Sequence, residues 1–556
     1  MTASRGVIRT TVDERVLLAG TTLRFVLMLV LFVAGSMSMW ANVTIDYFGN
    51  TRYIDCLLAD GYNVDGDNQA QINFDAATGG DKALLRCEGS STDLLLQYWL
   101  PVGITVVLVL LAYGLYRLVP AWKGRARRVT ALDQAQVAIG AALTLAELTY
   151  TAGLATRPPT FVVRPAVAGD ALVYGTRGRT TVCLDAGLLA LCASHPSGDE
   201  ERFRAVVLHE LAHIRNRDIP ITYATVAMWR VFLAAVLIPQ AVLLAYDAIS
   251  NPWGRAISTI NLAQEVFVAL LVYLARADIL RTRELYADLA AARWGARQEA
   301  WLVTDRDHRA RAVVGGRRPR TSFRKYWRIH PSWAERNRAL DDPAPLFRFG
   351  ALPMFITGAT AGVLSDDLVD FLGNSSIISE IQAYLVGGFL SGIAVVALWR
   401  AVIYAQLTGG RIPSGWLAGL SLGLGLSISQ LTEVEVSGFQ WLPDQPEALL
   451  FLLAPCVVLA VWTVQFARLQ LSRTRGRTLT VALAASSLPP YLMLATVLVW
   501  WYTMGFITTT EWPASAVSQL QTIGLTGEQA AHPNLVLQFF AAVLVSRVGD
   551  LSSKFL

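Results

Sequence analysis

His209 and His213 stand four residues apart in the run VVLHELAHIRNRD, so on a helix their imidazoles leave one face and can reach a single metal ion together. Glu210 follows the first histidine, placed to take a proton from a water that attacks a carbonyl, the general-base role in metal-assisted peptide hydrolysis. The plainer reading is a charged helix face that starts an apolar segment. With six histidines in the whole chain, chance spacing is the weaker explanation. A catalytic zinc takes three protein ligands and keeps a fourth position open, so one more side chain is required. The run RTRELYADLAAAR supplies Glu284 and Asp288, again four apart on one helical face. Glu284 is the candidate third ligand, against the plainer reading that it pairs with Arg281 or Arg283. Asp288 is cast as the acceptor that orients a ligand imidazole. One zinc ion per chain is expected.

These two helices have to be brought together, and the apolar pattern supplies the means. Crossing the hydrocarbon core takes about 20 apolar residues, and nine stretches approach or exceed that length: 24–40, 99–118, 219–246, 260–280, 349–365, 382–404, 412–431, 448–467 and 479–505. Basic residues near span ends stay on the cytoplasmic side. Arg117, Lys123, Arg125, Arg127 and Arg128 follow the second span, Arg276, Arg281 and Arg283 close the fourth, and Arg468, Arg473, Arg475 and Arg477 follow the eighth. The intervening loops, Asp46–Asp93, Asp366–Glu380 and Glu433–Glu447, are acidic instead. The N-terminus is therefore expected inside. Arg5, Arg9, Arg15 and Arg24 precede the first apolar run without a small-x-small cleavage site after it, which predicts an uncleaved anchor. His213 begins span three and Glu284 ends span four, so an antiparallel hairpin is expected to join them at the cytoplasmic surface.

The resulting fold class is mainly α, a polytopic helical membrane protein of nine spans with a cytoplasmic domain that contains a small β element. Its expected division is a cytoplasmic segment 1–23, two spans within 24–118 that enclose an extracytoplasmic loop 41–98, a catalytic unit 119–348 including spans three and four, a membrane bundle 349–505, and a tail 506–556 of ambiguous topology. In the catalytic unit an alanine-rich helix near 131–155 precedes Pro158-Pro159 and two β-rich runs, Phe161–Arg164 and Thr180–Leu184, separated by turn signals at Gly175 and Gly178. Thr180–Leu184 is expected at the edge of the sheet, where an extended peptide adds as a further strand. The last five spans hold no charge that calls for a pore or a proton relay and read as a structural bundle.

Hydrophobic residues at 54%, charged residues at 16% and a mean hydropathy of +0.42 exclude an ordinary soluble enzyme. The net charge of +5 does not indicate nucleic acid, because the arginines cluster beside apolar segments and not along a basic stripe with interleaved aromatics. The expected partners are the lipid bilayer and a protein or peptide substrate. Lysine occurs only at Lys82, Lys123, Lys325 and Lys554 while arginine is abundant, the bias of a GC-rich bacterial genome. Cys56 and Cys87 share the polar segment expected outside, where a disulfide is permitted, and are expected to pair. Cys183, Cys192 and Cys456 read as small buried hydrophobes.

Taken together, HELAHIRNRD, the apolar span after it, RELYAD and HPSWAER resemble the HtpX and CAAX-prenyl-protease family of membrane zinc metallopeptidases, over roughly residues 119–345. The resemblance implies a gluzincin-like domain with Glu284 as the third zinc ligand. It also implies that His330, followed by Pro331 and Arg336, helps to stabilise the tetrahedral oxyanion, with Arg336 in support; composition alone would make His330 a loop histidine. Two departures stand out. Where the family often has Asn-Ala-Phe before a glycine, this chain has Asp170, Ala171 and Leu172 before Gly175. The loop with Cys56 and Cys87 and the last five spans lie outside the resemblance. The implied activity is zinc-dependent cleavage of membrane or membrane-associated proteins at the cytoplasmic face, as in protein quality control. A sensor-transducer protease of the beta-lactam-receptor kind is one rival, against which HPSWAER argues. A catalytically silent membrane scaffold is the other; Glu210 argues against it, since a purely structural metal site has no use for a base.

Overall fold

The apolar runs form the longest helices. In the computed structural model, which describes residues 14–44, 56, 59, 99–125, 129–132, 139–167, 169–176, 178–193, 197–250, 255–297, 326–372, 376–431, 449–471 and 477–510, the chain is mostly helical with one small sheet. Helices α1 (Glu14–Thr44) and α2 (Leu100–Arg125) lead into the mixed segment: β1 (Thr130–Ala131), α3 (Ile139–Thr151), β2 (Thr160–Arg164), β3 (Ala171–Thr176), β4 (Arg179–Asp185), α4 (Ala186–Ala193) and α5 (Ser197–Arg215). Next come α6 (Asp218–Phe232), a five-residue π-helical turn at Leu233–Leu237, α7 (Ile238–Ser250), and the long α8 (Arg255–Arg293). After α9 (Trp333–Asp341) and α10 (Ala344–Phe347), the C-terminal helices are α11 (Ala351–Leu372), α12 (Ser376–Thr408), α13 (Trp416–Gln430), α14 (Leu450–Gln470) and α15 (Arg477–Thr510).

Among the described residues seven helical stretches are long and apolar enough to cross a membrane: Gly20–Thr44, Leu100–Val119, Asp218–Tyr246, Ala344–Leu368, Ile377–Thr408, Leu450–Gln470 and Val481–Tyr502. The expected fourth and seventh spans are helical but fall outside that set. The stretch 260–280 of α8 carries Glu265, Arg276 and Asp278. Helix α13 has 15 residues, short of the roughly 20 that a crossing takes. Cys56 is disulfide-bonded; Cys87, most of the 41–98 loop, residues 1–13 and the tail beyond 510 lie outside the described residues.

The sheet has the order β1-β2-β4-β3. Strand β4 is flanked on both sides, by β2 in parallel (Val162 opposite Cys183) and by β3 in antiparallel register (Val173 opposite Val182). The run Thr180–Leu184 is thus interior, and the expectation of an edge there is corrected: the edge is β3. The cause is the parallel pairing of β2 with β4, which covers the second side of β4. Gly175 and Gly178 do not separate β2 from β4; they close a tight hairpin between β3 and β4. Gly175 has φ 135°, and a Cβ there would sit 2.2 Å from the Arg179 carbonyl oxygen, so only glycine closes this turn.

The two largest apolar cores among the described residues lie apart. One lies under the sheet and α5, with Val182, Leu184, Phe203, Leu208 and Leu211 buried. The other fills the helical bundle, around Phe32, Phe232, Trp399 and Leu498. Two indole groups in the bundle find polar partners: Trp399 Nε1 donates to Ser486 Oγ (2.9 Å) and Trp501 Nε1 to Gln430 Oε1 (2.9 Å), as most groups cut off from water do.

Candidate metal centre

Helix α5 carries His209, Glu210 and His213. Acidic residues open it and His213 and Arg215 lie in its last turn, charges of the sign the helix dipole favours at each end. The chain then turns through Arg217, the one non-glycine described residue with positive φ (58°), and enters α6 at once. This corner swings Asp218 back under α5, where its Oδ2 lies 3.2 Å from Nδ1 of His213. Asp218 is buried (1% exposed).

Helices α6 and α8 run antiparallel, since Thr222 meets Arg283 and Trp229 meets Tyr273. Helix α8 thereby brings Glu284 between the two histidines. Its Oε2 is 3.5 Å from His209 Nε2 and its Oε1 is 3.7 Å from His213 Nε2. The three ligand atoms all lie within 4.8 Å of one another and all three residues are buried. One turn further along, Asp288 Oδ1 lies 2.9 Å from Nδ1 of His209.

This donor set fits a zinc ion on geometry alone. Two imidazole nitrogens and a carboxylate oxygen about 2.0–2.2 Å from a tetrahedral centre stand about 3.4 Å apart; here one Glu284 oxygen is 3.5 Å from His209 Nε2 and the other 3.7 Å from His213 Nε2, with one ligand atom from each residue lying within 4.8 Å of the rest. Each histidine has its remote nitrogen facing a buried carboxylate, Asp288 at 2.9 Å or Asp218 at 3.2 Å, an arrangement that suits Nε2 for a metal. Residues 142–344 match the model of peptidase family M48. That is the family of the HtpX and CAAX-protease membrane zinc metallopeptidases, and the match implies a metallopeptidase. No curated protein and no solved structure matches the chain.

Within residues 142–344 the electrostatics divide the site. Burial draws the His209 imidazole down, but the adjoining Asp288 and Glu284 carboxylates carry it up to about 9. Burial, and next the Arg283 guanidinium, hold His213 well below the ordinary histidine range, in the neutral form that ligates. Burial alone would raise Glu284, yet the His209 hydrogen bond and the charges of His213 and Arg283 keep it well below the carboxylate range. Glu210 goes the other way. Burial pushes its carboxyl up to about 7 even though His209 and the nearby β3 backbone at Val173 oppose the shift. Unlike the buried ligands it is partly accessible.

Arg336 supports the same assembly. It lies on α9, which is started by a capping box: Ser332 accepts from Glu335 N–H and the Glu335 carboxylate accepts from Ser332 N–H at 2.8 Å. From there the guanidinium donates both Nε (2.6 Å) and Nη2 to Asp288, so a chain of charge runs from Arg336 through Asp288 to His209. His330 sits at the rim, 76% exposed in its side chain, with Nδ1 3.9 Å from Glu284 Oε2.

Two residues have roles that the sequence left unassigned. Asp218 stands five residues after His213 in HIRNRD; the signal was present, but its use depends on the left-handed corner at Arg217. Arg283, one residue before Glu284 and about 100° around the helix, bends back to donate to Glu284 Oε1 and to Thr222 Oγ1 of α6. Glu284 therefore both pairs with Arg283 and faces the histidines, where the sequence presented these as alternatives.

Proposed function

We propose that this protein is a membrane-embedded, zinc-dependent endopeptidase that cleaves peptide bonds of membrane or membrane-associated proteins at the cytoplasmic face, in the manner of protein quality control. The observation that carries the reading is the convergence of His209, His213 and Glu284 on one point, with the partly accessible Glu210 beside it.

His209, His213 and Glu284 would hold one zinc ion, which when bound supplies Lewis acidity to the carbonyl and to water. The remaining chemistry belongs to the chain. Glu210 takes the proton of the attacking water and returns it to the departing amine, and a carboxyl near neutrality suits both transfers. Asp288 and Asp218 keep the imidazoles aimed, and Arg336 keeps Asp288 ionised and in place. His330, at the rim, is positioned to reach the oxyanion as the substrate settles. Strand β3 is the sheet edge nearest Glu210 and would take an extended substrate by strand addition, which favours backbone over side-chain recognition. The arginines beside span ends support a cytoplasmic N-terminus and active site, with 119–348 as the catalytic unit, 349–505 as the membrane bundle, and Cys56 bonded to Cys87 in an outer loop 41–98.

Glu210→Gln tests the reading. The amide retains shape and leaves the ligands intact, so the purified variant should hold wild-type zinc and lose cleavage of an unfolded protein substrate by about 100-fold or more. Wild-type cleavage by this variant, in a preparation free of other proteases, would sink it.

A further inference from the structure

Several arginines in and around the hairpin of α6 and α8 have a carboxylate. Arg24 and Arg281 share Asp278, Arg283 has Glu284, and Arg336 has Asp288. Arg276 and Arg230 differ. Among the described residues no carboxylate pairs with either. The Nε of Arg276 is buried without a hydrogen-bond partner, and Arg230 is close enough to oppose its charge. Two like charges side by side on membrane helices are costly unless an anion joins them.

Their surroundings are aromatic. The Arg276 guanidinium carbon lies 5.6 Å from the Trp229 ring centre and 5.9 Å from that of Tyr273. Tyr273 stacks edge-on with Trp229 at 5.4 Å and lies 5.6 Å from Trp327. The Tyr273 hydroxyl donates to the Trp327 carbonyl at 2.8 Å, which ties the loop before His330 into the cluster. Depth follows from length. The apolar stretch Asp218–Tyr246 has 29 residues where about 20 suffice to cross, so its first turns project from the hydrocarbon. Trp229 and Arg230 then fall where the span leaves it, the level at which tryptophan and tyrosine collect and lipid phosphates lie.

We infer that Arg230 and Arg276, walled by Trp229, Tyr273 and Trp327, form a binding site for the phosphate of an anionic phospholipid in the cytoplasmic leaflet. Two cations with no neighbouring carboxylate favour a headgroup of net negative charge over a zwitterion, whose positive group the two guanidinium charges would repel. The rings beside them suit the glycerol and upper acyl region, which free phosphate lacks. The site also sets a distance. Arg276 and Glu284 are eight residues apart on α8, a rise of about 12 Å, so a bound headgroup would hold the metal centre that far beyond the phosphate plane. On the proteolytic reading proposed above, an anchored substrate would be cut about four extended residues from the membrane.

The test uses the full-length, zinc-loaded protein in mild detergent, with lipid retention followed by native mass spectrometry against phosphatidylglycerol, phosphatidylcholine and inorganic phosphate. Wild type should retain phosphatidylglycerol in preference to phosphatidylcholine, and excess inorganic phosphate should not displace it. R230Q and R276Q should each weaken retention about fivefold and the double variant on the order of thirtyfold, while R276K keeps it. Zinc content should stay at wild type throughout, which reports the fold and makes the outcome independent of proteolysis. If R276Q loses zinc, the exposed Arg230 carries the test alone through R230Q. Equal retention of phosphatidylcholine, displacement by phosphate, or undiminished retention by the variants would each overturn the inference.

Discussion

His209, His213, Glu284, Asp288 and Asp218 are all buried within residues 142–344, and each faces another titratable group. The C-terminal bundle handles close approach differently. Helices α11 and α13 meet backbone to backbone, where a Cβ on Gly358 would lie 1.9 Å from the Leu422 carbonyl oxygen and one on Gly425 2.0 Å from that of Phe355. Burying charge costs stability unless it is well paired, and apolar replacements often do better. Helices in lipid, by contrast, gain from small residues that let their backbones touch. The first region therefore carries a cluster that stability does not favour and a metal explains; the second is organised for packing. The two are joined at α8, where Tyr286, two residues past Glu284, donates to the Leu346 carbonyl at 2.8 Å and accepts from Arg400 of α12.

If that contrast is right, perturbations should separate. The largest effect is expected from metal removal: a zinc chelator should abolish cleavage, zinc should restore it, and the helical content of the bundle by circular dichroism should not change. Loss of bundle helicity on chelation would break the contrast. Next is Asp218→Asn, which leaves His213 Nδ1 without its carboxylate and should weaken zinc affinity about 10- to 100-fold, measured by competition with a chromogenic chelator. Unaltered affinity would remove Asp218 from the site. Gly425→Val should destabilise the bundle by about 1–3 kcal/mol through overpacking, seen as a lower melting temperature in detergent, while zinc per folded molecule stays constant. Zinc lost in step with melting would show that the regions do not separate. The smallest effect belongs to Glu147→Ala. Its partner Arg204 lies 2.7 Å away, but Glu147 is 57% exposed, so solvent screening limits the change to about 0.5 kcal/mol; a larger shift in melting temperature would mean that this surface pair matters to the fold around the metal centre.

The parts of the site that were legible in the sequence share one property: they repeat at helical spacing. His209 with His213, and Glu284 with Asp288, are each one turn apart, and the structure puts each pair on one helix face. Asp218 was not assigned because its role arises from a left-handed residue, Arg217, whose conformation no periodicity announces. The order of strands was equally hidden. Residues 171–176 and 179–185 are both β-rich, and which becomes the edge is decided by the parallel pairing of β2 with β4, a tertiary fact. The span count shifted for a different reason: α8 carries charged positions such as Asp278, which its partners Arg24 and Arg281 make tolerable, and α13 depends on glycine contacts in place of length.

The most direct test of the central claim is zinc stoichiometry by elemental analysis on Glu284→Ala beside Arg293→Ala. Arg283 is unsuited as the control because it donates to Glu284, whereas Arg293 is exposed at the far end of the same helix. After gentle purification, wild type and Arg293→Ala should carry one zinc per chain and Glu284→Ala almost none. Equal, full occupancy in all three would contradict a centre built from His209, His213 and Glu284.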